Sequence, residues 1–250
     1  MGANEVHLRL WRGDAGGGEF KTYRLNAAEG MVVLDAVREV QAKQAGDLAV
    51  RWNCKAGKCG SCSAEINGLP RLMCMTRMNA FPAGEPVTVA PMRAFPLIRD
   101  LVTDVSFNYA KAASIPPFQP VPADADGKRR MYQEDVERIQ EFHRCIECFL
   151  CQDTCHVIRD HEERKPDYAG PRSFVRIAAL EMHPLDAGNR IGLLKEKAGI
   201  GLCNVTKCCT EVCPEQIRIT DNAIIPLKER VADRYYDPIA ALLRRFGRRR

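Results

Sequence analysis

Apolar and polar positions alternate along residues 6–11, with Val6, Leu8 and Leu10 set against His7 and Arg9. That is the period-two pattern of a half-buried strand. Residues 19–25 read as its partner, joined through the turn Asp14-Ala15-Gly16-Gly17-Gly18. Val33, Leu34, Val37 and Val40 then recur at helical spacing, which predicts an amphipathic helix ending before Gly46. Residues 63–66 and 69–73 flank Asn67-Gly68, a two-residue hairpin signal, and 86–89 reads as a closing strand. Strands are expected to stop at Arg99, giving way to a helix over 99–112 and a stiff proline-rich linker over 114–122. Helical patterns follow at about 131–144, 171–182 and 222–234. Pro171 lies just inside the second of these and Pro184 just beyond its end, while Pro226 sits awkwardly in the third. A short helix is expected after Pro238. The pattern predicts an α+β protein: a small sheet crossed by one helix over residues 1–105, then an all-α domain over 106–250.

Composition narrows the function. The chain has 250 residues, 46 % of them apolar, enough for one large or two small packed domains. Its net charge of +5 is misleading, because five arginines (Arg244, Arg245, Arg248, Arg249, Arg250) fall in the last seven residues. The rest is near neutral, so a nucleic-acid-binding face is not expected. No signal peptide is read at the N-terminus, and Gly2 lacks the Ser or Thr at position 6 that myristoylation needs. Nor is there a run of about 18 apolar residues to span a membrane. A reducing cytosolic setting then makes the 12 cysteines metal ligands rather than disulfides.

Their spacing says which metal. Cys54, Cys59 and Cys62 form C-x4-C-x2-C, and Cys74 follows on the strand after the hairpin. This is the plant-type ferredoxin arrangement for a 2Fe–2S cluster. The intervening Gly57 and Gly60 let the backbone wrap tightly and aim N–H groups at sulfur. A four-cysteine zinc site is the alternative, although structural zinc favours two short knuckles and Cys62 to Cys74 is not one. Cys145, Cys148, Cys151 and Cys155 form the bacterial ferredoxin run C-x2-C-x2-C-x3-C, with His156 where proline usually follows. Cys203, Thr206, Cys209, Cys213 and Pro214 repeat it with threonine in the second ligand position. In two-cluster ferredoxins the fourth cysteine of each run serves the other cluster. Cys145, Cys148, Cys151 and Cys213 are therefore assigned to a 4Fe–4S cluster. Cys155, Cys203 and Cys209, with Thr206 at the empty corner, are assigned to a 3Fe–4S cluster. Cys208 stands outside the register and reads as a small, partly buried thiol.

The order of these motifs resembles the iron–sulfur subunit of succinate dehydrogenase and fumarate reductase, the succinate:quinone oxidoreductase family. The eleven assigned cysteines match it, as does the segment Arg99-Asp100-Leu101-Val102 with Asp104, which resembles the family's crossover between domains. The resemblance implies a plant-type, β-grasp ferredoxin-like domain followed by a helical bacterial-ferredoxin-like domain. It implies a separate FAD-containing flavoprotein subunit that oxidises succinate, and electrons passing through 2Fe–2S, 4Fe–4S and 3Fe–4S clusters to membrane quinone beside anchor subunits. It also implies a peripheral place on the cytoplasmic face of the inner membrane and a part in the tricarboxylic acid cycle. The dicarboxylate site would lie on the partner chain, and no Gly-x-Gly-x-x-Gly dinucleotide motif appears here. A fumarate reductase, or another flavoprotein-linked reductase, is the alternative within this chemistry. A zinc-organised interaction protein is the alternative outside it.

One departure bears on the quinone. Much of the family carries a tryptophan shortly after the Cys155 position and a histidine directly after the Cys203 position. Here the only tryptophans are Trp11 and Trp52, and Asn204 follows Cys203. His156 and Asn204 are the quinone-facing candidates, and menaquinone is the expected quinone. The arginine-rich end could touch anionic lipid, at about 1 kcal/mol per basic residue, or be a solvated terminus. Lys55 and Lys58 could dock an acidic flavoprotein surface or moderate cluster charge.

Overall fold

The computed structural model describes residues 4–82 and 84–239. The first three residues, most of the helix expected after Pro238 and the arginine-rich end lie outside the described residues. The α+β organisation is present as two compact units. One holds the residues up to Phe107, with Ile146–Thr154 and Val212–Pro214; the other holds Asn108–Cys145, Cys155–Glu211 and the residues from Glu215.

In the first unit β1 (Asn4–Asp14) and β2 (Gly17–Ala27) pair antiparallel over their whole length. They run longer than the alternation predicted. The helix α1 (Val33–Lys43) buries Val33, Leu34, Ala36, Val37 and Val40, the stripe its spacing implied. β3 (Ser63–Ile66) and β4 (Leu69–Leu72) form the hairpin, with Asn67 and Gly68 both left-handed (φ 48° and 78°). Two positive φ values make the right-handed strand twist continue through the turn. β5 (Val87–Ala90) lies parallel to β1, placing Val87 and Val89 beside Leu8 and Leu10 in the core.

The expected helix over 99–112 is replaced in its first part by strand. β6 (Leu97–Arg99) and β7 (Val102–Thr103) form a further antiparallel pair, and α2 (Ser106–Ala113) starts only after them. The cause is Asp100, left-handed at φ 50° and buried. Its carboxylate accepts from Arg12 Nε (3.0 Å), Gly13 N–H (3.0 Å) and Ala49 N–H (2.8 Å), tying the turn to β1. No local pattern reveals that tie.

The second unit contains α3 (Gln133–Gln140), which continues as a 3-10 turn to Arg144. α4 (Leu150–Asp153) belongs to the first unit. α5 (His156–Arg159), α6 (Gly170–Glu181), α7 (Ile191–Glu196), α8 (Cys208–Glu211) and α9 (Ile225–Tyr235) complete the second. Phe142, Phe174, Ile177, Leu194, Ile224 and Leu227 are buried there. The awkward Pro226 is accommodated because α9 starts at Ile225 and Ile219–Ile224 forms a wider π-helical turn before it. The proline-rich linker is held to this unit. Fully buried Arg190 donates to the carbonyls of Pro116 (2.9 Å) and Pro117 (2.6 Å) while pairing with Asp186 at 2.9 Å.

Candidate metal centres

The first cysteine loop is folded around sulfur. The N–H groups of Ala56 and Lys58 each point at Cys54 Sγ from 3.3 Å, and that of Cys54 at Cys59 Sγ from 3.5 Å. The Ser61 hydroxyl lies 3.0 Å from Cys59 Sγ. Such a turn needs left-handed residues, and Lys55, Gly57 and Gly60 supply φ of 55°, 67° and 66°. A Cβ on Gly60 would stand 2.6 Å from Cys148 Cα, so glycine is also required by close approach. Burial pushes the Cys59 thiol up, but the Cys54 N–H and the Ser61 hydroxyl and N–H outweigh it and bring it to about 6. Cys62, buried just before β3, is driven by burial to about 12 despite the Cys74 N–H. Cys74 lies in the turn just past β4 rather than on the strand, because the Met75 N–H bonds back to the Leu72 carbonyl at 3.1 Å and closes a turn over 72–75. Lys55 folds its ammonium over the Trp52 ring at 5.2 Å, and Arg38 stacks on that ring at 4.1 Å.

The two ferredoxin runs repeat one local conformation. Glu147 and Phe149 are left-handed on either side of Cys148 (φ 55° and 61°). Val205 and Lys207 are left-handed on either side of Thr206 (φ 63° and 65°). A one-turn helix follows in each case, α4 and α8. Its hydrogen bonds correspond: Gln152 and Asp153 N–H bond to the Phe149 carbonyl, as Thr210 and Glu211 N–H bond to that of Lys207. A β-branched valine with positive φ is strained and must be held by its surroundings. Thr206 thus stands in the backbone register of Cys148.

Cys155, Cys203 and Cys209 line one cleft of the second unit, together with Thr206. His156 and Asn204 line it too, and so does Cys208, whose Sγ lies 3.4 Å from Thr206 Oγ1. Burial pushes the Cys155 thiol up against hydrogen bonds from Tyr168 and from the Ile158 and Val157 N–H groups. It pushes Cys209 to about 12 against one from Thr220, with Cys208, Cys155 and Cys203 adding repulsion. Tyr168 and Thr220 carry no spacing signal; packing alone brings them to the sulfurs. Lys228 fixes the Cys203 end by donating to the carbonyls of Cys203 (2.5 Å) and Ile200 (3.3 Å). Among the described residues no three His, Cys, Asp or Glu side chains are close enough together to hold one metal ion. Buried thiols that repel one another as anions, spread around a cleft and met by N–H and O–H donors, are a donor set suited to a multi-iron sulfide group.

The description "2Fe-2S iron-sulfur cluster binding domain" matches residues 7–109, and "4Fe-4S dicluster domain" matches residues 141–217. The fumarate reductase iron-sulfur subunit of Mycobacterium tuberculosis is 34 % identical over 203 residues, covering 79 % of this chain and 80 % of that protein. One chain of the fumarate reductase (CoM/CoB) of Methanothermobacter marburgensis is 30 % identical over 226 residues, 89 % of this chain but 44 % of that longer protein. A chain of the Mycobacterium smegmatis Sdh1 complex in the apo form superposes with a TM-score of 0.92 at 63 % identity, covering 95 % of this chain and 100 % of that one. No helix among the described residues is long and apolar enough to cross a membrane. The chain belongs to the family of iron–sulfur subunits of succinate dehydrogenase and fumarate reductase.

Proposed function

We propose that this chain is the electron-transfer subunit of a succinate:quinone oxidoreductase, with its cluster ligands divided four, four and three. When bound, the clusters supply one-electron storage, receiving from an FAD-bearing flavoprotein subunit and delivering to membrane quinone. Cys54, Cys59, Cys62 and Cys74 would hold 2Fe–2S. Cys145, Cys148, Cys151 and Cys213 would hold 4Fe–4S, and Cys155, Cys203 and Cys209 would hold 3Fe–4S. The observation that supports the partition is the left-handed pair flanking both Cys148 and Thr206, so that threonine holds the register position that cysteine holds in the first run. The donors on Cys54 and Cys59 stabilise thiolate in the first loop, and Lys228 fixes the backbone of Cys203.

Succinate oxidation is favoured by the 63 % likeness to a chain of the Sdh1 complex. Fumarate reduction is the second reading, favoured by the tuberculosis relative. The division into domains at 105/106, the anchor subunits, the cytoplasmic face of the membrane and menaquinone as acceptor belong to this same proposal. Asn204, with His156 beside it on the cleft, supports the last of these. The test is the intact complex isolated from its host. About nine irons per chain and an oxidised three-iron EPR signal are expected. A colourless preparation with stoichiometric zinc overturns the reading. The relative rates of succinate–quinone and quinol–fumarate turnover decide direction.

A further inference from the structure

We propose that the hydroxyls of Tyr168 and Thr220 donate hydrogen bonds to the Cys155 and Cys209 thiolates and thereby raise the reduction potential of the three-iron site. This rests on the ligand reading above. Tyr168 is wholly buried, its ring edge-on to Phe174 at 5.5 Å, and its hydroxyl lies 3.7 Å from Cys155 Sγ. Thr220 is 1 % exposed, with Oγ1 3.4 Å from Cys209 Sγ.

The proton directions follow from chemistry. A metal-bound cysteine is a thiolate and has no proton to give, so each hydroxyl must be the donor. At Thr220 the neighbours agree. The Thr210 hydroxyl donates to Thr220 Oγ1 at 3.1 Å and itself accepts the Thr220 N–H at 3.0 Å. Because Thr210 is the donor in that pair, the Thr220 proton is available to face sulfur. Tyr168 is also a costly choice for a merely space-filling residue, since phenylalanine would pack on Phe174 without burying a hydroxyl. Its electrostatic neighbours are Cys155, Cys203 and Cys209, the three thiols of the cleft.

Reduction adds an electron and leaves the sulfurs more negative. A fixed O–H dipole in a dry site therefore stabilises the reduced form more than the oxidised one. Tyr168 and Thr220 are positioning residues: they act through the cysteines they touch.

The experiment is an EPR redox titration of the intact complex carrying Tyr168→Phe, Thr220→Val or both. Tyr168→Phe is expected to lower the reduced-to-oxidised ratio of the three-iron site about tenfold at a fixed potential, a shift of about 59 mV for one electron. Thr220→Val should move it the same way. Iron per chain and the 2Fe–2S midpoint should stay at wild-type values, which a general packing defect would not leave untouched. In wild-type protein exchanged into D2O, pulsed EPR should detect a deuteron coupled to the three-iron signal that Tyr168→Phe diminishes. If Tyr168→Phe fails to assemble, Thr220→Val and the wild-type deuteron decide. A full three-iron signal whose midpoint neither variant moves overturns this inference alone. A wild-type complex without that signal overturns the ligand reading as well.

Discussion

Thr206 sits between two left-handed residues in the register that Cys148 holds in the first run, and Cys208 lies 3.4 Å from its hydroxyl. Under the proposed four, four, three partition, two residues could bear on the empty corner of a three-iron site, and substitutions separate them. Thr206→Cys places a thiolate in the backbone position that already carries one in the other run. It is expected to convert part of the three-iron site to four-iron, seen as a weaker oxidised three-iron EPR signal and a rise in iron per chain. An unchanged signal would place Thr206 away from the vacant corner. Cys208 instead occupies the register of Leu150, a position without a ligand in the first run. Cys208→Ser is accordingly expected to keep the full iron content, whereas Cys209→Ser should lose the three-iron signal. Loss of iron in Cys208→Ser would make it a ligand and undo the four, four, three partition.

At the level of elements, two buried charges explain where the pattern of hydrophobicity misled. The hairpin of β6 and β7 exists because Asp100 closes a left-handed turn and satisfies donors from residues 12, 13 and 49. The linker is held to its unit because Arg190 reaches back to Pro116 and Pro117. Both are single polar side chains acting over long separations, which periodicity cannot encode. By contrast α1, the Asn67-Gly68 hairpin and the cysteine runs were legible, since their information is local: apolar spacing, a turn dipeptide, ligand spacing. Tyr168 and Thr220 fall with the first group, being brought to sulfur by packing. The cost of removing such a tie is testable. Arg190→Ala leaves Asp186 buried without its partner and frees two linker carbonyls, and breaking a buried pair in this way costs about 3–5 kcal/mol. The visible cluster absorbance should be lost at least about 6 °C lower on heating than in wild type. A shift under about 1 °C would mean that the linker is held by other contacts.

Across the whole chain, the first cysteine loop and part of the first ferredoxin run share one compact unit, and their junction is built from backbone. The Ser63 hydroxyl lies 2.9 Å from the Gly60 carbonyl and 2.8 Å from that of Cys148, so one donor spans both segments. Gly60 lies so close to Cys148 that any side chain there would collide, at 2.6 Å from its Cα and 2.9 Å from its N. The Ala94 N–H adds a bond to Asp153 Oδ1 at 2.9 Å, and Phe95 packs edge-on to Phe149 at 6.4 Å. For a protein that moves electrons, such a junction keeps Cys59 and Cys62 at a fixed separation from Cys148. Gly60→Ala tests it, with Gly68→Ala as the control. Both glycines have positive φ, 66° and 78°, so left-handed alanine costs both variants about 1–2 kcal/mol. Only Gly60 has neighbours within reach of a Cβ; at Gly68 that space is open. With the proposed ligand sets, Gly60→Ala is therefore expected to melt below Gly68→Ala and to alter the reduced EPR spectra of both the 2Fe–2S and the 4Fe–4S sites, with slower electron passage between them when the proposed succinate-oxidising complex is rapidly mixed with succinate. Gly68→Ala should keep wild-type spectra and rates. Equal behaviour of the two variants would show that backbone conformation alone matters at Gly60, and that its closeness to Cys148 has no part in joining the two sites.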